Sequence, residues 1–493
     1  MLDQKVIAWL GRVGWKVSEA ARRLAARALE RGYQLSAEAL EIILGSGRPL
    51  ELLDEVLSWL EASGVRGSII DRALIESYVK SQRRVEEDVV EEAPAVVAES
   101  PSYEGLQIEG TAEEQRTYLL VRYQVLRSIY ERRGIQLQPA RELSRSQGEG
   151  YVVGMVLRVS RKDSYMIVEM EDPVETWSVL VPLRDRGLAE KAEYVLPDMV
   201  VVFRAHSRRG LLVASDVILP DLAARRSAWR GPDLNICIVS DIHIGSVRHA
   251  EESFRSFLDW LGSGESEAEK TRILIINGDL VDGIYVYPGQ AQDLALKSYS
   301  EQYLAAAKAL ASIPGRVKVV YVPGNHEPCR RALPQPPIQT SYRKMLSQQR
   351  PILFVGNPAW LRIGGLRVLA FHGQTLDDVI QAGTRYSYST LHEMSGDLME
   401  FILKARHLAP ILGVATPIMP LKTDYLAIAE PPDILCMGHT HVAAYKSYKG
   451  VTLLNSGSWQ NQTRIQESLG LEPSVGTAAL INLNTLSTRF ISF

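Results

Sequence analysis

Five short segments in the second half of the sequence each end a hydrophobic run on a metal-binding side chain. They read Ser240-Asp241-Ile242-His243, Asn277-Gly278-Asp279, Gly324-Asn325-His326-Glu327, Phe371-His372-Gly373 and Gly438-His439-Thr440-His441. One alone carries little weight, since a single histidine after an apolar run is more often a satisfied core or surface group. The chain has nine histidines, and five of them fall in these segments. Such a chain folds so that the C-terminal lips of several strands meet in one pocket lined with carboxylate, imidazole and amide. That mixed N/O set suits two divalent cations and the hydrolysis of a phosphate ester.

The remaining numbers set bounds. With 493 residues, two to four domains are expected, and 46% hydrophobic residues support full-sized cores. The net charge of −3 and pI near 6.4 give no global signal for nucleic-acid binding, so any such contact must come from a local patch or a partner. Cys237, Cys329 and Cys436 are scattered, with no CxxC pair. Cys237 and Cys436 lie inside apolar runs and read as buried core thiols. Zinc knuckles and disulfide frameworks are not expected, and a reducing intracellular setting is. The start, Met1-Leu2-Asp3-Gln4, lacks a basic segment followed by an apolar stretch, and no run of 18 apolar residues occurs. A cytoplasmic protein with no membrane partner follows.

The periodicity divides the chain into five parts. Residues 1–82 read as a small helical N-terminal module, with small and apolar residues at helical spacing from Val17 through Leu29 and from Leu50 to Leu60. Residues 83–115 read as an acidic flexible linker, carrying Glu86-Glu87-Asp88, Glu91-Glu92, Pro94 and Pro101. Residues 116–149 read as a basic helical connector with Arg122, Arg127, Arg132 and Arg133, either solvated, packed on the next domain or set near a phosphate backbone. Residues 150–222 hold five alternating apolar runs with turn signals between them, the pattern of a five-stranded OB-type β-barrel. It is low in aromatics for a base-stacking platform, which favours protein packing at least as much as nucleic-acid contact. Residues 232–493 alternate strands and helices, an α/β architecture with loop-borne ligands.

Within the last part, Asp241 and His243 flank Ile242, and His439 and His441 flank Thr440. In extended chain, side chains two apart point the same way and reach one ion. Asp279 can bridge two ions through its two oxygens, Asn325 adds an uncharged oxygen, and His372 closes the set. Two cations about 3.5–4 Å apart can activate a water and neutralise a phosphodiester. His326 follows a ligand position and points off the metals, so it is the expected proton donor to the leaving oxygen. Asp282 is expected to hydrogen-bond its imidazole and orient it. Asp377 and Asp378 match no ligand position and read as solvated charge.

In that order, D-x-H, G-D-x-x-D, G-N-H-[DE], H-G and G-H-x-H resemble the calcineurin-like metallophosphoesterases over about residues 230 to 460. The resemblance implies a β-sandwich with flanking helices and a di-metal centre, often manganese. Fe, Zn, Ni or Mg would fit a similar set. It assigns ligand roles to Asp241, His243, Asp279, Asn325, His372, His439 and His441, and the donor role to His326. A narrower likeness runs through Asp241-Ile242-His243-Ile244-Gly245-Ser246, Gly278-Asp279-Leu280-Val281-Asp282-Gly283 and Leu403-Lys404-Ala405-Arg406-His407-Leu408-Ala409-Pro410. These are similar to the small subunit of archaeal family D DNA polymerase. That family implies a helical module, linker, OB barrel and phosphoesterase domain in this order. It also implies a 3′–5′ proofreading exonuclease acting on single-stranded or mispaired DNA 3′ ends beside a large catalytic subunit, associated with the nucleoid. A sliding clamp or primase is a further expected contact. The accessory B subunits of eukaryotic replicative polymerases are implied relatives that have lost metal ligands; here all are present, so activity is expected.

One departure is Glu327, where aspartate is more usual in the nuclease branch; no sequence pattern assigns it a role. Gly-Asn-His-Glu also occurs in Ser/Thr protein phosphatases, but their two phosphate-clamping arginines are replaced here by Gly283 and Pro323. Two other readings stand beside the exonuclease: a non-catalytic polymerase scaffold, and a phosphomonoesterase or cyclic phosphodiesterase of the same superfamily.

Overall fold

A computed structural model describes residues 19–46, 49–62, 69–76, 78, 93–224, 231–383 and 385–493. The chain divides into two compact units, Met1–Glu92 and Ala93–Phe493. In the first unit, helices Glu19–Glu30, Ala37–Gly45 and Pro49–Ala62 close over Leu24, Ala28, Tyr33, Leu40, Ile43 and Leu57. The Ser36 hydroxyl starts the second helix by accepting from the Ala39 N–H at 3.1 Å. A parallel pair, β1 (Gln34–Leu35) and β2 (Ile69–Ile70), joins this module and is too short to leave a period in the sequence. Val17, Ser18 and the acidic residues 86–92 lie outside the described residues.

The second unit begins with a correction. Composition predicts an acidic flexible linker over residues 83–115, yet in its described part, residues 93–115, β3 (Val96–Ala98) pairs antiparallel with residues 361–363. Tyr103 is buried, and its hydroxyl donates to the Pro358 carbonyl at 2.9 Å. A backbone pairing needs few large side chains, so composition does not reveal it.

The connector helix Ala112–Arg132 starts in a capping box between Thr111 and Glu114. It lays Tyr123, Leu126, Ile129 and Tyr130 on Val153, Met155, Val200 and Val202 of the barrel. Packing wins over solvation here. Even Arg122 is fully buried, donating through Nη2 to His407 Nδ1 at 3.0 Å and to the Ala409 carbonyl.

The barrel closes in the order β4 (Glu149–Arg161), β5 (Tyr165–Glu171), β6 (Thr176–Pro182), β8 (Leu211–Ile218), β7 (Val200–Arg208) and back to β4. Only β6 and β8 run parallel, and helix Arg186–Ala192 lies between β6 and β7. This is the five-stranded OB arrangement expected from the alternating runs.

The C-terminal α/β part stacks two six-stranded sheets. The first contains β9 (Asn235–Val239), β10 (Thr271–Asn277), β11 (Lys318–Val322) and β12 (Ile352–Phe354) in parallel, flanked by β18 (Thr477–Asn482) and β19 (Thr488–Ser492). The second runs β16 (Ala444–Tyr448), β17 (Val451–Asn455), β15 (Ile434–Met437), β14 (Leu366–Ala370), β13 (Ala359–Ile363) and β3. Strand alternation sorts the apolar residues. Ile236 and Ile238 face the second sheet, against residues such as Val368 and Cys436, while Cys237 and Val239 face helices Glu251–Gly262 and Tyr299–Leu310. Both faces are covered, which explains why these strands read as continuous apolar runs. The far face of the second sheet and helix Leu391–Ala405 share one continuous core with the barrel interior. The expected thiols Cys237 and Cys436 are buried. No helix among the described residues is long and apolar enough to cross a membrane.

Candidate metal centre

The strands β9, β10, β11, β14 and β15 all point their C-terminal ends at one place, and the five polar segments follow directly from them. The sheets are tied at this lip by Asn277, whose amide donates to the Phe371 carbonyl at 3.1 Å and the Cys436 carbonyl at 3.3 Å. The seven expected donors come together there.

They converge differently from the extended-chain expectation. Asp241 and His243 lie past the end of β9 with φ of 54° each, and His439 and His441 lie past β15 with φ of 67° and 61°. Asp279 is also left-handed, at 52°. The side chains share a target because the turns are tightly coiled, not because they alternate on a strand. Such backbone is costly for non-glycine residues and persists where surrounding hydrogen bonds enforce it. Here the N–H groups of Asp241, Ile242 and His243 donate to the carbonyls of Gly278 and Asp279 at 2.8 to 3.0 Å. Gly278 (φ 92°) is required by proximity, since a Cβ there would run into the His372 ring.

The donors form two groups joined by one carboxylate. In the first, His441 Nε2 is 3.3 Å from Asp241 Oδ1 and 3.2 Å from His243 Nε2. In the second, Asn325 Oδ1 is 3.0 Å from both His372 Nε2 and His439 Nδ1. Asp279 Oδ2 lies between, 3.2 Å from His372 Nε2 and 3.9 Å from His243 Nε2. Asp241, Asp279, His243, His372 and His441 are all buried.

Electrostatics show that this donor set fits cations. Asp241 and Asp279 are buried with Asp282 close behind and Asp377 at the edge, and among the described residues no lysine or arginine pairs with any of the four. Buried carboxylates without counter-charge are expensive. Their fields instead pull protons onto neighbouring imidazoles. Burial works to lower the pKa of His372, but the charge and hydrogen bond of Asp279 together with the charge of Asp241 outweigh it and lift the value to about 10. His243 and His439 are raised in the same way, against burial, chiefly by Asp282 and Asp377 respectively. Asp241 falls to about 2, because His441 and His372 together outweigh the cost of burial. Two dications would supply the four positive charges that these four carboxylates call for, and the imidazole nitrogens that would bind them already face inward. His372 Nδ1 donates to the Asn277 carbonyl at 3.0 Å, and His243 Nδ1 faces Asp282 Oδ1 at 3.0 Å, so each Nε2 is left to coordinate.

Three expectations are corrected. Asp282 does not bond the His326 imidazole through its carboxylate. The carboxylate holds His243, and the Asp282 backbone carbonyl accepts from His326 Nδ1 at 2.6 Å. Asp377 is not solvated charge, because its Oδ2 accepts from His439 Nε2 at 2.8 Å. Asp378 is buried and caps the Thr416 N–H at 3.1 Å. The sequence places an acidic pair soon after His372 but holds nothing to show which strand-end histidine meets it.

Glu327 now has a role. It accepts from the Asp279 N–H at 3.1 Å, the Leu280 N–H at 2.8 Å, the Gly324 N–H at 2.6 Å and the Tyr321 hydroxyl at 2.7 Å. Burial and the charge of Asp279 push its carboxyl up to about 7, while three backbone N–H donors and the Tyr321 hydroxyl favour the ionised form. It clamps the turn that carries Asp279 to the turn that carries Asn325.

The donors open on a cleft of about 400 Å³ lined by His326, Tyr287, Tyr388, Arg464 and Ile465 among others. His326 Nε2 makes no hydrogen bond among the described residues; its nearest carboxylate oxygen, Asp279 Oδ2, is 3.8 Å away.

Residues 236–446 match the family of B subunits of DNA polymerases alpha and epsilon. The chain is 33% identical over 481 residues to the DNA polymerase II small subunit of Archaeoglobus fulgidus, covering 93% of this chain and 96% of that one. It is 32% identical over 453 residues to the DNA polymerase II small subunit of Methanothermobacter thermautotrophicus, covering 88% and 92%. A solved archaeal phosphodiesterase aligns with 53% of this chain and all of its own at 14% identity, with a TM-score of 0.26, a likeness too slight to argue from.

Proposed function

The chain belongs to the DNA polymerase II small-subunit family, and on that premise we propose that it removes nucleotides from DNA 3′ ends by metal-dependent phosphodiester hydrolysis. As a member, it is an accessory subunit of a polymerase whose other component is a large catalytic subunit. The nuclease reading rests on one observation: Asp279 joins two clusters of buried and half-buried N/O donors, and among the described residues no lysine or arginine pairs with their carboxylates.

Asp241, His243, Asp279 and His441 would hold one cation, and Asp279, Asn325, His372 and His439 the other, with manganese the favoured ion. When bound, such a pair supplies Lewis-acid activation of water and neutralises the phosphodiester. The chain's own residues do the rest. Asp282, Asp377 and Glu327 fix the donors before substrate arrives, so little reorganisation accompanies reaction. His326 is held by the Asp282 carbonyl with Nε2 toward the cleft. There it delivers a proton to the 3′ oxygen that leaves when the terminal P–O bond breaks, giving a 5′-mononucleotide and a strand one residue shorter.

The test uses the full chain, with and without the large subunit, on a primer with a mispaired 3′ end. With Mn²⁺, stepwise shortening from the 3′ end is expected. His326→Ala should slow it by about 10²–10⁴-fold, the usual loss for a general acid, with Mn²⁺ affinity measured by calorimetry retained. A variant that cuts at the wild-type rate removes His326 from the mechanism, and a wild type without tight Mn²⁺ sites removes the mechanism itself.

A further inference from the structure

One wall of the cleft is built by a short segment that no motif reading singled out, Thr463–Leu471. The Thr463 hydroxyl accepts from the Gln466 N–H at 3.3 Å, and Gln466 Oε1 accepts from the Thr463 N–H at 2.9 Å. This reciprocal pair fixes Gln466, whose amide nitrogen lies 2.9 Å from His441 Nδ1. At its far end, Gly470 lies against Ser389, beside Tyr388 of the opposite wall. The segment is therefore anchored to the donor cluster at one end and to the facing wall at the other.

Its outward residues are unlike those of the cluster. Ile465 and Leu469 are 52% and 42% exposed, an unusual placement for large apolar side chains beside a charged site. Arg464 is exposed and makes no hydrogen bond or ion pair among the described residues, although Asp282, Asp293 and Asp377 line the same cleft. Asp293 is engaged by the Tyr287 hydroxyl, and Asp377 by Tyr388 and His439. Arg464 is the only arginine or lysine among the residues lining the cleft. A phosphomonoester dianion calls for several cations at the reacting phosphorus; a single guanidinium that pairs with none of the donors suits one further, singly charged diester.

We propose that Thr463–Leu471 holds the substrate strand: Arg464 takes the phosphate immediately 5′ of the scissile one, and Ile465 and Leu469, which line the same cleft as Tyr388, take the terminal nucleoside. This rests on the phosphodiesterase reading of the same site and specifies its substrate as a flexible single strand at least three nucleotides long. The cleft's volume matches one nucleotide rather than a duplex end. Aromatic and apolar contact with the base face carries no sequence preference, as removal of any mispaired base requires.

Two measurements on the full chain test it. In the first, the Mn²⁺-loaded protein acts on the trinucleotide dTpTpT and the dinucleotide dTpT, which lacks the second phosphate. The wild type should favour the trinucleotide by about tenfold in kcat/KM, and Arg464→Ala should bring that ratio close to one. In the second, fluorescence anisotropy follows a labelled single-stranded dT oligonucleotide in EDTA, where no cleavage intervenes. Arg464→Ala should flatten the log–log salt dependence of binding by about 0.7, the contribution of one phosphate on a single strand, and Arg464→Lys should keep the slope. An unchanged trinucleotide preference together with an unchanged slope overturns the assignment. A wild type that cuts neither substrate, yet loses salt dependence on Arg464→Ala, keeps the strand-holding wall and defeats the hydrolytic reading instead.

Discussion

Asp377 Oδ2 accepts a hydrogen bond from His439 Nε2 at 2.8 Å, while its other oxygen accepts from the Tyr388 hydroxyl at 2.9 Å. The contact sets the His439 tautomer, with the proton on Nε2 and the Nδ1 lone pair turned toward Asn325 Oδ1. Burial acts to raise the Asp377 pKa, but the imidazole prevails and the carboxylate stays ionised. Asp377→Ala should therefore weaken one of two Mn²⁺ sites by about 10–100-fold, the usual cost of losing such a partner. Calorimetric titration should show the other site, built on Asp241 and His441, nearly unaltered. Equal weakening of both, or of neither, would contradict the pairing.

A second buried histidine makes a prediction about pH. His407 is 1% exposed, with Nε2 donating to Asp424 Oδ2 at 2.8 Å and Nδ1 accepting from the Ala409 N–H and Arg122 Nη2, each at 3.0 Å. Both nitrogens are committed in the neutral form. Burial first, and then the charge of Arg122, lower its pKa below 6.5, with Asp424 opposing. In the unfolded chain it titrates near 6.5, so below that pH the unfolded state binds the extra proton and the folded state resists it. The stability this group contributes is complete above about pH 6.5 and is lost as pH falls toward the depressed value. In saturating Mn²⁺, which keeps the site imidazoles from titrating, Tm should drop from pH 7 to 5. His407→Gln should lower Tm at pH 7 and flatten that drop. Parallel wild-type and variant curves would rule the group out.

What can be read from the sequence, and what cannot, follows from how each contact is encoded. The seven donors are legible because each ends an apolar strand, and strands buried on both faces leave continuous apolar runs such as Ile236–Val239. The turn geometry at Asp241 and His243 is not legible, because the preference of Asp and His for positive φ is weak and metal-ligand chemistry accounts for the same residue types. Glu327 can be seen but not explained, since three of its four partners are backbone N–H groups that any residue would offer. Asp377 reads as solvated for a related reason: its partner lies 62 positions away, and only the fold brings the two together. Arg122 shows the converse: its sequence leaves a solvated and a packed helix both open, and it is fully buried because its helix packs on the barrel and the C-terminal α/β part at once.

The stretch whose composition reads as tether gives the last prediction. Tyr103 is 2% exposed, its ring stands edge-on to Tyr425 with centroids 5.2 Å apart, and it lies so close to Gly356 that a Cβ there would meet the ring. With the β3 pairing to residues 361–363, it pins the chain ahead of helix Ala112–Arg132 onto the C-terminal α/β part. Removing the ring leaves a cavity, so Tyr103→Ala should destabilise this unit by about 3–5 kcal/mol. Tyr103→Phe forfeits only the hydrogen bond to Pro358 and should cost about 1 kcal/mol. Denaturant unfolding gives both values. Limited proteolysis separates anchoring from general loss of stability: under native conditions, cleavage between residues 93 and 115 should appear in Tyr103→Ala, while the wild type and Tyr103→Phe stay intact over that stretch. Equal cleavage there in all three proteins would return the segment to the status of a free tether.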